Sequence, residues 1–396
     1  VTDWFVLVES NTTGTGRLFA HAARDLGTRP VLLARDPARY PYVAADGLDH
    51  RVVDTADPAA VRAACLALGG RIIGVTSSSE YFVATAAEVA RDLDLPHPDP
   101  DAVRDCRDKP TQRRTLRDKG VPGPLFGDAR TSDEAVSVAG AIGCPVVVKP
   151  AAGSGSIGVR LCADPDEVHA AAEAVLGALP GLPPQGAVLV EEYLDGPEYS
   201  VETLDEHVVG VTRKHLGPHP YFVETGHDFP APVGQPLTTS LADAAIAALR
   251  ALGLGWGPAH VELRHTRRGP CVVEVNPRLA GGMIPRVVQE SCGVDMIAQV
   301  VARVAGRRPD PAPSRARPAS IRFLVAARAG TLTGIGGVDA ARAVPGVVEV
   351  GVLREPGDLV LRHSFQDRLG YVIATGPAAA LAADAGLRAL DPRITP

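Results

Sequence analysis

The stretch CPVVVKPAAGSGSIGVRLCADPDEV, residues 144–168, sets a loop of glycines and serines between two short apolar runs. The first run ends in Lys149 and Pro150, and the second begins at Gly158. Glycine and serine in such a loop expose backbone N–H groups, and the neighbouring lysine adds positive charge. Together these suit phosphate. No Gly-Lys-Ser/Thr follows, which excludes a Walker loop. The run GVRLC, residues 158–162, reads as a strand and not a helix, which excludes a Rossmann turn. The chain must fold so that a glycine loop of phosphate-binding chemistry joins two strands.

Upstream of this loop, strands and helices alternate. WFVLVES reads as a buried strand, TGTGRLFAHAARDLG as an amphipathic helix and RPVLLARD as a second strand. PAAVRAACLALG, RIIGVTSS and SEYFVATAAEVARDLD continue the pattern, which predicts a parallel sheet covered on both faces over residues 1–104. ESNTTGTG after the first strand invites a dinucleotide reading. Phe19 stands where the fingerprint needs its third glycine, which argues against nicotinamide binding.

From about residue 105 the pattern changes. DAVRDCRDKPTQRRTLRDKG reads as one helix, and SDEAVSVAGAIG as a short helix with acids in its first turn. The hairpin and the helix DPDEVHAAAEAVLGAL follow, then the strands AVLVEEYL, EYSVETLD and HVVGVTRKHL. GPHPYFVETGHDFPAPVG reads as a long loop, and SLADAAIAALRALG as a helix leading into two paired strands, GPAHVELRHT and GPCVVEVNPR. GRRPDPAPSRARP, 306–318, has linker composition, and the tail shows short strands and a closing alanine-rich helix.

The 396 residues suffice for two or three domains with real cores. A net charge of −6 gives no footprint for a nucleic-acid partner. No apolar run reaches membrane-spanning length and the N-terminus lacks a signal pattern, so no membrane partner and a cytoplasmic location are expected. Six dispersed cysteines without a C-x-x-C pair point to buried reduced thiols. Of 40 basic residues only four are lysine: Lys109, Lys119, Lys149 and Lys214. In a chain that otherwise uses arginine, a lysine marks a place where a compact ammonium is needed. Lys119, just before a turn, is the exception.

Lys109, Lys149 with its glycine loop, EEYLDGPEYS and HVELRHTRRGPCVVEVNPRLAGG follow one another in an order that resembles the ATP-grasp superfamily. Within it the biotin-carboxylase-like branch, and especially the L-amino acid ligases (dipeptide synthetases), are most similar. The resemblance covers residues 1–305 and, more loosely, the tail. It implies a mixed α/β and α+β ATP-grasp fold. An N-terminal Rossmann-like pre-ATP-grasp domain would span 1–104, and the ATP-grasp domain 105–307 with a hairpin-bearing lid at about 115–188. A linker and a small C-terminal α+β domain would span 308–396. The implied cofactors are ATP and two Mg²⁺ ions, with Mn²⁺ as an alternative, and the glycine loop with Ser154, Gly155 and Ser156 becomes a lid over the phosphates. A homodimer is expected at family level only.

Glu274 and Asn276 lie two apart and share one face of a strand, and Glu262 has the same polar-among-apolar placement on the strand before it. The resemblance makes these three the ligands of the metal ions, with Glu274 bridging. It assigns the adenine edge to the Glu191 carboxylate and the backbone of Glu191, Glu192, Tyr193 and Leu194. Glu198 would take the ribose hydroxyls, and Lys109, Lys149 and Lys214 the phosphates. Glu224 and His227 in YFVETGHD, with Glu80 in TSSSEYF, match positions that face the amino-acid substrate. Glu80 and Glu224 would surround its α-ammonium. Arg278 would hold the reacting carboxylate and its oxyanion, while Gly281 and Gly282 allow close approach. Gly282, where some relatives carry a bulky aromatic, implies room for an acid larger than alanine. D-alanyl ligases have an arginine two residues before the first metal acid. This chain has His260, which favours the L-amino acid ligase branch.

The implied activity is ATP-dependent amide formation through an acylphosphate, from small-molecule amino acid and amine substrates. Two other classes remain open on the sequence: a biotin-carboxylase-like carboxylase using bicarbonate, and a non-catalytic nucleotide-binding module. The first has no need of the VETGH loop or Glu80, and the second no need of the metal carboxylates.

Overall fold

The structure, a computed structural model, describes residues 1–11, 15–177, 179, 185–360 and 363–396. It opens with β1 (Asp3–Val8), α1 (Thr15–Asp25), β2 (Arg29–Ala34), α2 (Pro41–Ala45), β3 (Asp49–Val52), α3 (Pro58–Leu66), β4 (Arg71–Thr76) and α4 (Val83–Asp92). The four strands form a parallel sheet in the order β3-β2-β1-β4. Phe5 and Leu7 pack on one face with Phe19 and Ala20 of α1, while Trp4, Val6 and Val8 pack on the other with Val61 and Val89. Burial on both faces is why the strand reads as a continuous apolar run. β3, sequence DHRV, carries three exposed residues and so gives no such run.

The helix expected as one piece around residue 109 is two, α5 (Pro100–Arg107) and α6 (Lys109–Asp118). Asp108 leaves helical geometry at ψ 102 and its carboxylate accepts from Thr111 N at 2.8 Å. Pro110 follows in the first turn of α6. An aspartate cap with proline just inside is a helix start, and it overrides the amphipathic pattern. Lys109 is thereby aimed from a helix N-terminus.

The lid comprises β5 (Phe126–Ala129), α7 (Ser132–Ile142), β6 (Val146–Pro150), β7 (Arg160–Cys162), α8 (Pro165–Leu176) and β8 (Val188–Glu192). Its antiparallel sheet runs β5-β8-β6-β7, and β6 pairs with β7 as Val146 opposite Cys162 and Val148 opposite Arg160. The glycine loop therefore tips a hairpin, as its sequence requires.

The rest of the chain contains β9 (Glu198–Leu204), β10 (His207–Leu216), β11 (Glu224–Phe229), α9 (Gln235–Leu252), β12 (Pro258–Thr266), β13 (Gly269–Asn276), α10 (Ile284–Cys292) and α11 (Met296–Val304). The tail adds β14 (Ala319–Val325), β15 (Gly330–Gly336), α12 (Val338–Arg342), β16 (Val347–Val352), β17 (Leu359–Val360), β18 (Arg368–Thr375), α13 (Ala379–Ala389) and β19 (Asp391–Thr395). An eight-stranded sheet runs β13-β12-β9-β10-β11-β14-β18-β16. Its antiparallel pairings carry it from the β12–β13 hairpin into the tail.

The segment expected as a long loop thus contains β11, seated between β10 and β14. Gly226 and the flanking prolines disguise it, because the strand is made by its neighbours and not by its own propensity. The 306–318 segment has no regular elements but is tied down: Ser314 N donates to Cys292 O at 2.9 Å, and Arg317 pairs with Glu290 at 2.9 Å. α11 packs Val300, Val301 and Val304 against the N-terminal sheet and so joins the two ends of the fold. Five of the six cysteines are buried as expected, whereas Cys144 is exposed. Among the described residues no helix is long and apolar enough to cross a membrane.

Gln112 fastens α6 to β13. Its side-chain amide donates to Cys106 O at 2.6 Å and Val275 O at 2.9 Å, and its Oε1 accepts from Val275 N at 2.9 Å. Gln112→Ala would orphan these buried backbone groups, each worth roughly 1–3 kcal/mol when left unpaired. We expect a lower urea midpoint with an unchanged m-value. An unchanged midpoint would show that water replaces the amide without loss.

Candidate active site

A cavity of ≈ 800 Å³ lies between the lid, the central sheet and the N-terminal sheet. Every residue singled out from the sequence lines it except His227, which is fully buried against Gly282.

The β12–β13 register sets Glu262 directly opposite Glu274, and His260 opposite Asn276. Directly opposed residues stand about 5 Å apart at Cβ, and residues two apart share a face. Two carboxylates and an amide therefore converge on one side of the hairpin. Lys109 Nζ donates to Glu274 Oε1 at 2.9 Å and to Gly153 O at 3.0 Å, bridging β13 and the glycine loop. Hard oxygen donors of this kind suit Mg²⁺. Among the described residues no cluster of three His, Cys, Asp or Glu side chains is arranged to hold a metal by itself. A bound Mg²⁺ would then complete its shell with water or phosphate oxygens, as that ion commonly does.

Lys149 and Glu191 form a buried pair at 2.7 Å, and Arg113 takes the other oxygen of Glu191. Burial lowers the Lys149 pKa despite the carboxylate beside it. Burial would raise that of Glu191, but Arg113 and Lys149 hold it below the usual carboxylate value. Both oxygens of Glu191 are thus committed to cations, in place of the purine contact expected of them. Glu192 turns its carboxylate away to Arg268 at 2.8 Å and Leu125 N at 3.1 Å, leaving its backbone on the cavity. The Leu194 carbonyl accepts from Arg264 Nη1 at 3.0 Å, and the Tyr193 hydroxyl lies 3.1 Å from His219 Nε2.

Lys214 is the hub of the floor. Its Nζ lies 2.9 Å from each of three carboxylates, Glu198, Glu224 and Glu262. An ammonium has three protons, so this arrangement engages them all and presents no free donor to a phosphate. Burial would lower its pKa, but the three acids raise it well above the ordinary value. Arg264 Nε completes the shell of Glu198 at 3.0 Å.

His260 sits between Glu202 Oε2 and Glu262 Oε1, each at 3.0 Å. Burial opposes its charge, yet the two acids raise its pKa to about 9. The departure from arginine at this position therefore preserves a cation. His227 is the reverse case: burial lowers its pKa to about 3, against the partial pull of Glu224. Among the described residues, neither of its ring nitrogens has a hydrogen-bond partner.

Glu80 and Glu224, expected around one ammonium, are held in separate groups. Arg278 Nη2 grips Glu80 Oε2 at 2.6 Å, while Glu224 meets Lys214 and Arg368. Burial would raise the Glu80 pKa, and Arg278 overrides it. Gly281 and Gly282 lie beyond Arg278 as expected. However, Gly282 has φ +57, and a Cβ there would stand 2.7 Å from His227 Nε2. Its bareness accommodates His227 and a left-handed turn, although the residue also lines the cavity. At the lid tip, the Phe365 ring presses on Gly155, and Phe365 N donates to Gly155 O at 3.3 Å.

His260, Glu202, Arg113, Arg264 and Arg368 were not anticipated as parts of the site, His260 having been noted only as a departure. The arginines carry no signal among so many, whereas lysine scarcity did single out Lys109, Lys149 and Lys214.

Comparison with known families places this geometry. Residues 142–286 match the ATP-grasp domain, and residues 322–392 match the L-amino acid ligase C-terminal domain 2. The chain belongs to the ATP-grasp superfamily. It is similar to the uncharacterized protein y4rH of Sinorhizobium fredii, at 41% identity over 376 residues, 94% of this chain and 78% of that protein. Carnosine synthase 1 of Gallus gallus is 28% identical over 322 residues, 75% of this chain but only 34% of that longer enzyme. The fold matches an L-amino acid ligase from Bacillus licheniformis with a TM-score of 0.81 and 21% identity, covering 100% and 99% of the two chains. The chain is thus an ATP-grasp ligase related to L-amino acid ligases and carnosine synthase. Enzymes of this superfamily use ATP and Mg²⁺.

Two outcomes follow for the ATP-grasp cleft. A histidine whose folded pKa is raised stabilises fully below its unfolded pKa of 6.5 and loses that contribution as pH rises through about 9. In metal-free protein, wild type should therefore lose stability between those pH values relative to His260→Gln, read by urea titration. Parallel pH profiles would contradict a charged His260. Gly282→Ala adds a Cβ at positive φ and against His227, so it should destabilise by roughly 1 kcal/mol or more. Pairing it with His227→Ala should relieve only the steric part. Full recovery of the melting temperature in the double variant would mean that φ imposes no cost.

Proposed function

We propose that this protein is an ATP-dependent carboxylate–amine ligase that joins an amino acid to an amine or second amino acid through an acylphosphate, releasing ADP and phosphate. One observation carries the reading: Glu262 faces Glu274 under a glycine-tipped lid, in the same cavity as the Glu80–Arg278 pair. Metal-type carboxylates, phosphate-type cations and an amino-acid-type acid–base pair are what acyl activation needs in one place.

In this reading the backbone of Glu192, Tyr193 and Leu194 meets the adenine, Glu198 the ribose, and Lys109, Lys149 and the loop of Ser154, Gly155 and Ser156 the phosphates. Glu262, Glu274 and Asn276 would hold two Mg²⁺ ions, with Glu274 shared, which would neutralise the phosphate oxygens. Arg278 orients the acid so that a carboxylate oxygen attacks the γ-phosphorus and ADP departs. It then holds the oxyanion formed when the amine nitrogen attacks the acyl carbon, before phosphate leaves and the nitrogen loses its proton. Glu80 receives the α-ammonium of the acid. The lid keeps water from the acylphosphate.

A phosphate-release screen over paired amino acids, with products identified by mass spectrometry, should give an amide of mass equal to the pair minus water. Phosphate release that needs labelled bicarbonate and no amino acid would overturn the reading in favour of a carboxylase. Glu274→Gln should fold normally and fall to less than about a tenth of wild-type kcat, roughly 1.4 kcal/mol. A folded variant above that level would remove Glu274 from the metal site.

A further inference from the structure

The tip of the glycine loop meets the tail of the chain. Gly155 has φ +68, and a Cβ there would overlap the Phe365 ring, 2.7 Å from its Cε1. Phe365 N donates to Gly155 O at 3.3 Å, so ring and backbone hold the tip together. The bareness of Gly155 therefore seats an aromatic ring as well as permitting a left-handed turn.

Phe365 is held from behind. It begins a short turn, Phe365–Asp367, that Ser364 and Asp367 close with a capping box. Ala326 N, just beyond β14, donates to Asp367 O at 2.9 Å, and Arg354 Nη2 donates to Gln366 O at 2.8 Å. The flank of the lid reaches the same turn by a second route. Leu161 N on β7 donates to Pro220 O at 2.9 Å, and Tyr221 pairs with Arg160 as an isolated bridge. The Tyr221 ring then stacks on His363, with centroids 3.6 Å apart and planes at 15°. His363 stands two residues before Phe365.

One turn of the tail thus pins the lid hairpin at its tip and on its flank. Both Gly155 and Phe365 line the cavity beneath. The lid keeps a core of its own, in which Val146, Val148, Val168 and Val188 pack with Ala135 and Ala172. Among the described residues that core contains none from the tail. A body with its own core, joined to a rigid turn by a single ring and a few hydrogen bonds, can part from it and return as a unit.

We propose that Phe365 is the latch of the lid: seated on Gly155, it holds the glycine loop closed over the cavity and so keeps the acylphosphate dry. It acts through Gly155 and is a positioning residue. If the lid opens before the amine attacks, water attacks the acyl carbon instead and the bond from that carbon to the phosphate oxygen breaks. The acid, inorganic phosphate and a proton are released, and ATP is consumed without an amide. The drying role rests on the ligase reading above, whereas the latch itself does not.

The test uses the full chain and two readouts. The first is hydrogen exchange of the loop amides, residues 151–160, with Mg²⁺ and ADP present. Phe365→Ala should speed it about fivefold, the scale of losing part of a phenylalanine's burial, and leave the N-terminal sheet within about twofold. The second is phosphate released per amide formed, with an acid–amine pair found by the screen above. Wild type should release the two in equal amounts, Phe365→Ala should shift the ratio toward phosphate by a similar factor, and Phe365→Leu should shift it less. A variant that is merely less stable would lose both products together and keep the ratio. Unchanged loop exchange in folded Phe365→Ala would overturn the latch, and faster exchange with an unchanged ratio would overturn its drying role. If Phe365→Ala loosens the whole tail, seen as faster exchange in β14 and β18, Phe365→Leu is judged by the same two criteria. If no pair gives an amide, the ligase reading falls and loop exchange alone decides the latch.

Discussion

The ammonium of Lys214 is the charge around which the cleft is assembled. It is almost completely buried, and it draws together carboxylates from β9, β11 and β12, three strands of one sheet. Burying a lone ammonium or a lone carboxylate costs several kcal/mol, so neither could stand here alone. Together they hold Glu198, Glu224 and Glu262 close around one point. A guanidinium could not do this, because its flat fork meets acids in a plane, whereas a compact ammonium meets three from different directions.

The same logic extends outward. Each acid of the floor has a second cation at its back: Arg264 for Glu198, Arg368 for Glu224 and His260 for Glu262. The two buried histidines take opposite states for a simple geometric reason. His260 lies between two carboxylates, while His227 has Glu224 only at 3.6 Å and a phenylalanine ring at 5.5 Å on another side. Electrostatics overcomes burial in the first and fails to in the second. The charges of the floor thus neutralise one another pair by pair.

The tail closes this arrangement. β14 and β18 continue the sheet beyond β11, which brings Arg368 into the cleft, and the turn just before it sets Phe365 against the glycine tip of the lid. That turn is stiffened by a capping box between Ser364 and Asp367. One short segment thus touches both the lid and the substrate side of the floor, a coupling that its position some two hundred residues from the glycine loop would not suggest.

The sequence by itself determined the family, the hairpin that carries the glycine loop, and nearly all of the singled-out residues that line the cleft. These depend on local facts: strand periodicity, glycines where backbone must be exposed, polar residues two apart among apolar ones, and lysines in a chain that prefers arginine. The break at Asp108 was also written locally, as a cap followed by proline, but the amphipathic pattern running across it hid the signal. Tertiary structure alone decided which charge meets which. Glu80 and Glu224 part company because Glu80 lies in the turn between β4 and α4 while Glu224 opens β11, and each finds its own arginine; Gly282 is bare because His227 arrives from β11. A charged side chain leaves no periodic trace of its partner, and one arginine among 36 looks like any other until strand register and sheet order bring it to a carboxylate.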